Sequence, residues 1–291
     1  MGSAEKDLLR MKKISPYIFE DEPVSSLAVW SAWLAMFALA VAALSVVILR
    51  SGALEIVPAL ATFGAALVFA GLAILTALAA FVTIWRHGYS GLGRAVLGLL
   101  FGLALLAYPG YLAVLAYKLP AISDVSTDTG NPPRFEALAP QRPRGRVDYP
   151  GAATAALQRA GYSDIGPLQL NVQPRVVFEA TQNMLTKRKW LIANSRAPAP
   201  RRDGVIEMTV RSAIMGFRDD VVIRIAALGA GSRVDIRSAS RVGIHDLGAN
   251  AARIRGLIDD IEEAANAAPV PKPEPEKPEQ PERRPKRQNK S

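Results

Sequence analysis

"FRDDVVIRIAALGAGSRVDIRSASR", Phe217 to Arg241, is the stretch on which the fold turns. Apolar and charged residues alternate with period two on both sides of the link "GAGS", the pattern of two antiparallel strands joined by a tight turn. In the first strand Val221, Ile223 and Ile225 share a face with Asp219, while Arg218, Asp220 and Arg224 share the other. In the second, Val234 and Ile236 continue inward to Ser238 and Ser240, opposite Arg233, Asp235, Arg237 and Arg241. Upstream, "WLIANSR" (190–196) and "GVIEMTVRS" (204–212) alternate in the same way, so the four segments predict an antiparallel meander. Glu207, Arg211, Arg224, Asp235 and Arg237 then form a ladder of opposite charges on the outer face. That face is expected to be solvated.

Helical periodicity flanks the strands. "PRVVFEATQNMLTKR" (174–188) opens with a proline suited to a first turn and spaces Val177, Thr181 and Met184 on one side. Beyond the last strand, Asp246 is a good N-cap, and Leu247, Ala251, Ile254, Ile258 and Ile261 form an apolar stripe that must cover the sheet. The result is an α+β soluble domain, residues 151–268, with two helices on one face of a four-stranded meander. Residues 119–150, rich in proline, glycine and hydroxyls, read as an extended connector.

The apolar excess lies before residue 118. Three blocks, about Leu27–Leu49, Ala53–Ile84 and Ala95–Tyr117, meet or exceed the ~20 residues a helix needs to cross the hydrocarbon core. They make residues 27–118 a three-helix transmembrane anchor behind an N-terminal segment, 1–26, that is too long in its apolar follow-on to be a cleaved signal peptide. Trp30, Trp33, Trp85, Tyr108, Tyr111 and Tyr117 fall near span ends, as interfacial aromatics do. Lys6, Arg10, Lys12 and Lys13 precede the first span, and Arg86 and Arg94 lie between the second and third. The other flanks hold Arg50 and Lys118. This asymmetry puts the N-terminus in the cytoplasm and the soluble domain outside it, in the periplasm if the membrane is a bacterial inner membrane. No Asp, Glu, Lys or Arg interrupts the spans unless Glu55 is counted at an edge, which favours an anchor over a transport path. "GLLFG", Gly98 and Gly102, is a small-xxx-small pair, and Pro109 is expected to kink the third helix.

The net charge of +9 is spread rather than focused: residues 118–268 carry 21 Lys+Arg against 16 Asp+Glu, and 269–291 carry 7 against 4. No aromatic-interleaved basic stripe appears, so nucleic acid is not an expected partner. The absence of cysteine removes disulfides, thiol nucleophiles and zinc-thiolate sites. The tail 269–291 alternates proline with charge and is expected to be extended and disordered.

Function would sit at the polar end of the sheet. Asp219, Ser238 and Ser240 point inward there, where the last helix begins at Asp246, and Arg241, His245 and Asn250 stand beside them. Inward polar groups must be satisfied, so this end is either a hydrogen-bonded corner or a pocket. Catalytic signatures are weak. "GYSDIG" is one residue too long for a nucleophile elbow, one histidine in the soluble half is too few for zinc, and Asp219, Asp220 and Asp246 lack calcium-loop spacing. No glycine pattern cradles a phosphate, and no cofactor or metal is implied.

"DVSTDTGNPPRF", "IMGFRDDVVIRI", "GSRVDIRSASRVGIHDLGANAARI" and the tryptophan of "KRKW" resemble the signature segments of a bacterial domain-of-unknown-function family, number 1499, over about residues 122–263. The resemblance implies no reaction. It implies that Asp124, Thr127, Asp128, Asn131 and Phe135 belong with Phe217, Arg218 and the later motif residues, packed against the sheet end. Residues 124–131 are otherwise Asx and Ser/Thr turns before prolines. The expected function is a membrane-anchored extracytoplasmic module that binds an envelope protein or a small anionic or lipidic ligand. The competing class is an envelope hydrolase using Asp219, Ser238, Ser240 and His245.

Overall fold

A computed structural model describes residues 22–53, 55–188 and 190–268. The basic N-terminal segment and the tail for which disorder is expected lie outside the described residues. The chain divides into two compact units, one of the residues up to Lys118 together with Ser212–Gly216, the other of Leu119–Arg211 and the residues from Phe217 onward.

The first unit holds three helices long and apolar enough to cross a membrane, α1 (Ser26–Ser51), α2 (Ile56–His87) and α3 (Leu92–Lys118). Ser25 caps α1 by accepting from Ala28 N–H, and Gly52 and Gly88 end α1 and α2 in the left-handed conformation. What they bury is small. Ala28, Ser31, Ala35, Ala38 and Ala42 of α1 face Ala66, Ala70, Ala73, Ala77 and Ala80 of α2 and Ala95, Gly98 and Gly102 of α3 in the buried interior, while Trp30, Trp33, Phe37, Leu75 and Trp85 are exposed. Hydrocarbon gives large apolar side chains no reason to turn inward, so close backbone approach decides the packing. The glycine pair is part of it: a methyl group on Gly98 would overlap Ser31 Oγ and lie 2.8 Å from the Ser31 carbonyl carbon, and one on Gly102 would lie 2.7 Å from Ile74 Cγ1. Pro109 lies inside α3.

The second unit is α+β, as its alternation predicts, but with more elements. Its order is β1 (Asp124–Ser126), α4 (Ala152–Gly161), β2 (Leu168–Leu170), α5 (Pro174–Lys187), β3 (Leu191–Arg196), β4 (Gly204–Arg211), β5 (Arg218–Leu228), β6 (Gly231–Ser240) and α6 (Ala249–Asn266). β3 to β6 form the antiparallel meander. The sheet has six strands rather than four, because β1 and β2 both pair antiparallel with β6, β1 along its second half and β2 along its first. Strands of three residues are too short to declare themselves by alternation.

The inner face makes the main core. Ile206, Met208, Val221, Ile223, Ile225, Val234 and Ile236 pack against Val177, Phe178 and Leu185 of α5 and Ala251, Ile254, Leu257 and Ile261 of α6. The stripe on α6 runs through buried Leu257, with Ile258 half-buried at its side, and the helix starts at Ala249 rather than beside Asp246. Leu247 and Gly248 have positive φ, which delays it.

The outer face is largely covered instead of solvated, with Arg211 left exposed. Glu207, Asp220, Asp235 and Arg237 are at most 1% exposed, because residues 127–150 cross this face as an ordered strap in place of the expected extended connector. Phe135 and Leu138 of the strap join Val205, Val222 and Ala239 in a second apolar cluster. Period two identifies two faces, but it does not say what lies over a charged one.

Gly98→Leu should lower the thermal unfolding midpoint of the detergent-solubilised chain by overpacking the anchor, at a cost of about 1–3 kcal/mol. Gly110→Leu, with open space around it, is the control and should be nearly silent. Equal melting of the two variants in a helix-signal scan would contradict the close-packed interface.

Candidate functional site

The structure sorts the sequence-predicted residues into three places. The first is the corner where β5 and β6 meet α6. Ser238 Oγ donates to Asn250 Oδ1 at 2.7 Å, and Asn250 Nδ2 donates to Ser240 Oγ and to the Ser123 carbonyl, each at 3.1 Å. Arg253, one turn after Asn250, closes the set: Nη1 donates to Ser238 Oγ and Asn250 Oδ1, and Nη2 pairs with Asp219 Oδ2 at 2.6 Å. Asp246 accepts the N–H groups of Gly248 and Asn250 at 2.9 and 2.8 Å. Burial pushes its carboxyl above the ordinary range, and those two bonds pull it back. Nδ1 of His245 accepts the Leu247 N–H at 3.0 Å. The corner is a satisfied hydrogen-bond network. Sequence reasoning missed Arg253, although its three-residue spacing from Asn250 puts both on one helix face.

The second place is the strap. Arg237 pairs with Asp124 through two bonds of 3.0 and 2.7 Å, and donates to the carbonyls of Pro133 and Val147. Its guanidinium lies 4.7 Å from the centroid of Phe135, and Arg142 lies 4.5 Å from the same ring. Arg142 pairs with Asp220 at 2.8 Å and donates to the carbonyls of Arg146 and Ala239. Arg241 adds a forked contact to Asp220, which also accepts from Thr209 Oγ1. Glu207 accepts three successive backbone N–H groups, of Glu136, Ala137 and Leu138, at 3.0–3.1 Å. Burial pushes the Asp124 carboxyl up against the pull of Arg237, and burial together with the Asp124 charge pushes Tyr149 up to about 12.

The third place holds the turns of the signature segment. Asp128 Oδ1 accepts the N–H groups of Gly130 and Asn131, an Asx turn, and its Oδ2 pairs with Arg233 at 2.8 Å. Arg224 joins the Asn131 carbonyl to Asp235. Thr127 Oγ1 accepts the Ile236 N–H, and Gln158 of α4 bonds both backbone groups of Ser126, completing the free side of β1. Asp124, Thr127, Asp128, Asn131 and Phe135 thus pack on the sheet. Phe217 is half-buried and Arg218 exposed, the Arg218 carbonyl accepting from Arg241 N–H.

A cation held by Asp219, Asp220 and Asp246 does not fit this geometry. Asp219 faces Arg253 on the inner side, while Asp220 faces Arg142 and Arg241 on the outer. Among the described residues no three His, Cys, Asp or Glu side chains are grouped to hold a metal ion. Concave places lie beside these networks and between the helices. A cleft of about 270 Å³ is bordered by Asp124, Arg142, Arg146, Asp148, Ser240 and Ile244. A wider groove of about 550 Å³ lies between α5 and α6, with Val176, Ala180, Met184, Ala264 and Ala267 along it and Glu179, Lys187, Arg188, Asp260 and Glu263 at its rim.

Residues 124–261 match the profile of a family described as "Protein of unknown function (DUF1499)". No curated protein matches the sequence. Among solved structures, CalU16 from Micromonospora echinospora is similar at 11% identity over 35% of this chain and 82% of its own, with a TM-score of 0.20. Ara h 8.0201 is similar at 13% identity over 34% of this chain and 94% of its own, with a TM-score of 0.21.

Asp246→Ala should cost about 0.5–2 kcal/mol through loss of a double cap. Arg253→Ala should cost more, about 3–5 kcal/mol, because it leaves Asp219 buried without its partner. Urea unfolding of the soluble domain within the full chain measures both. Wild-type stability in Arg253→Ala would mean that the corner is open to solvent.

Proposed function

With residues 124–261 belonging to the DUF1499 family, we propose that the chain is a membrane-anchored interaction module of the bacterial envelope, displaying its α+β domain on the periplasmic side of the inner membrane to bind an envelope protein. The observation that carries this reading is the groove between α5 and α6. Its small apolar floor and mixed-charge rim suit an amphipathic segment of a partner, with Arg188 and Asp260, paired with each other across it, available to exchange partners. Orientation rests on the lysine and arginine asymmetry around the spans. A hydrolase built on Asp219, Ser238, Ser240 and His245 asks Ser238 to reach a substrate and give its proton to a base, but Ser238 is fully buried and directs that proton at the Asn250 amide oxygen. Arg253 and Asn250 already engage that hydroxyl.

Two measurements test the proposal. Alkaline phosphatase fused after residue 120 or residue 268 should be active; stable but inactive fusions at both would reverse the orientation. A photoreactive amino acid at Met184 or Ala264 of the full chain should capture a discrete protein in cells, and Ala180→Arg should abolish the adduct. A small lipid or metabolite adduct in place of protein, or the same pattern from a probe at exposed Leu157, would refute the groove as a protein site.

A further inference from the structure

The loop between β6 and α6 carries two apolar side chains that the fold does not use. Ile244 is 77% exposed and Val242 43% exposed, although the loop between them and its surroundings are firmly held. Arg146 Nη1 donates to the Gly243 carbonyl at 2.6 Å, and Asp246 N–H donates to the Ile122 carbonyl at 3.0 Å. Ser240 N–H also donates to the Ser123 carbonyl at 2.8 Å, so this loop is fastened to residues 122–123, where the chain first joins the core. A loop fastened in this way presents its β-branched apolar tip to water, and covering that tip would add the stabilisation of apolar burial.

The covalent chain says what is near. Lys118 is the last residue of α3, and Ile122 is 3% exposed in the core of the domain. Only Leu119, Pro120 and Ala121 separate them, a tether of at most about 14 Å. Lys118 supplies a cation that prefers the headgroup layer, and Arg144 and Arg146 belong to the same stretch that holds the loop. We propose that the β6–α6 loop is a bilayer-contacting finger: Val242 and Ile244 enter the interface between headgroups and acyl chains of the membrane that α3 spans. This proposal does not depend on which side of the membrane the domain occupies or on the groove between α5 and α6.

The chain has no cysteine, which makes single-site labelling direct. The full chain carrying Ile244→Cys, Val242→Cys or, as control, Ala230→Cys in the exposed turn at the opposite end of β6 would be spin-labelled and reconstituted in phosphatidylethanolamine–phosphatidylglycerol (3:1) vesicles. Relaxation by oxygen, which concentrates in the bilayer, is compared with relaxation by a water-soluble nickel chelate. The oxygen-to-nickel ratio at 242 and 244 should exceed that at 230 by roughly fivefold or more, as expected for side chains at the headgroup boundary. Equal ratios at all three positions would overturn the proposal. Labels at 242 and 244 that are immobilised and shielded from both reagents would overturn it too, since protein would then be the cover.

Discussion

Buried charge on the outer face of the sheet is the constraint that organises the soluble domain. Glu207, Asp220, Asp235 and Arg237 lie there almost without solvent, and each such ion costs several kcal/mol to bury unless its partners are in place. The partners come from the strap. Three backbone N–H groups of residues 136–138 converge on Glu207, Arg142 reaches Asp220, and the carbonyls of Pro133 and Val147 complete Arg237. The Phe135 ring lies within cation–π distance of both guanidiniums, 4.5 Å from that of Arg142 and 4.7 Å from that of Arg237. Without the strap the face is a set of uncompensated ions. Without the ions the strap, poor in apolar residues, has little to hold it.

The two units solve opposite packing problems with opposite residues. In water the inner face of the sheet hides its isoleucines and valines, and polar groups at the corner are tied to Arg253 and Asn250. In the anchor the large apolar residues face outward and alanines and glycines meet inside, where Gly98 and Gly102 allow α3 to approach its neighbours. This division is consistent with a function located in the domain, since the spans present no ionisable interior.

Much of this was legible in the sequence because it is periodic. The three spans, the strands β3 to β6 and the helices α5 and α6 each repeat a spacing that only one element explains. Asp219, Ser238, Ser240, Asp246 and Asn250 could be grouped for the same reason, since strand direction and an N-cap place them at one end. What escaped is aperiodic. β1 and β2 have three residues each, the strap is ordered by backbone groups that carry no sequence signal, and α4 is a short alanine-rich helix. Charges on the outer face read as solvated because the sequence does not announce their partners, Arg142 and residues 136–138, some 70 positions away. The match to the family over residues 124–261 includes the strap, and in this fold the strap and sheet are one unit.

Hydrogen exchange at the amides of Glu136, Ala137 and Leu138 tests the central claim most directly. In the full chain these three should be protected, and Glu207→Gln should speed their exchange by at least about tenfold, or 1.4 kcal/mol, while the amides of β5 change less. Rapid exchange of all three amides in the unmodified protein, at the rate of an unstructured peptide, would contradict the account of the strap as the cover of a buried charged face.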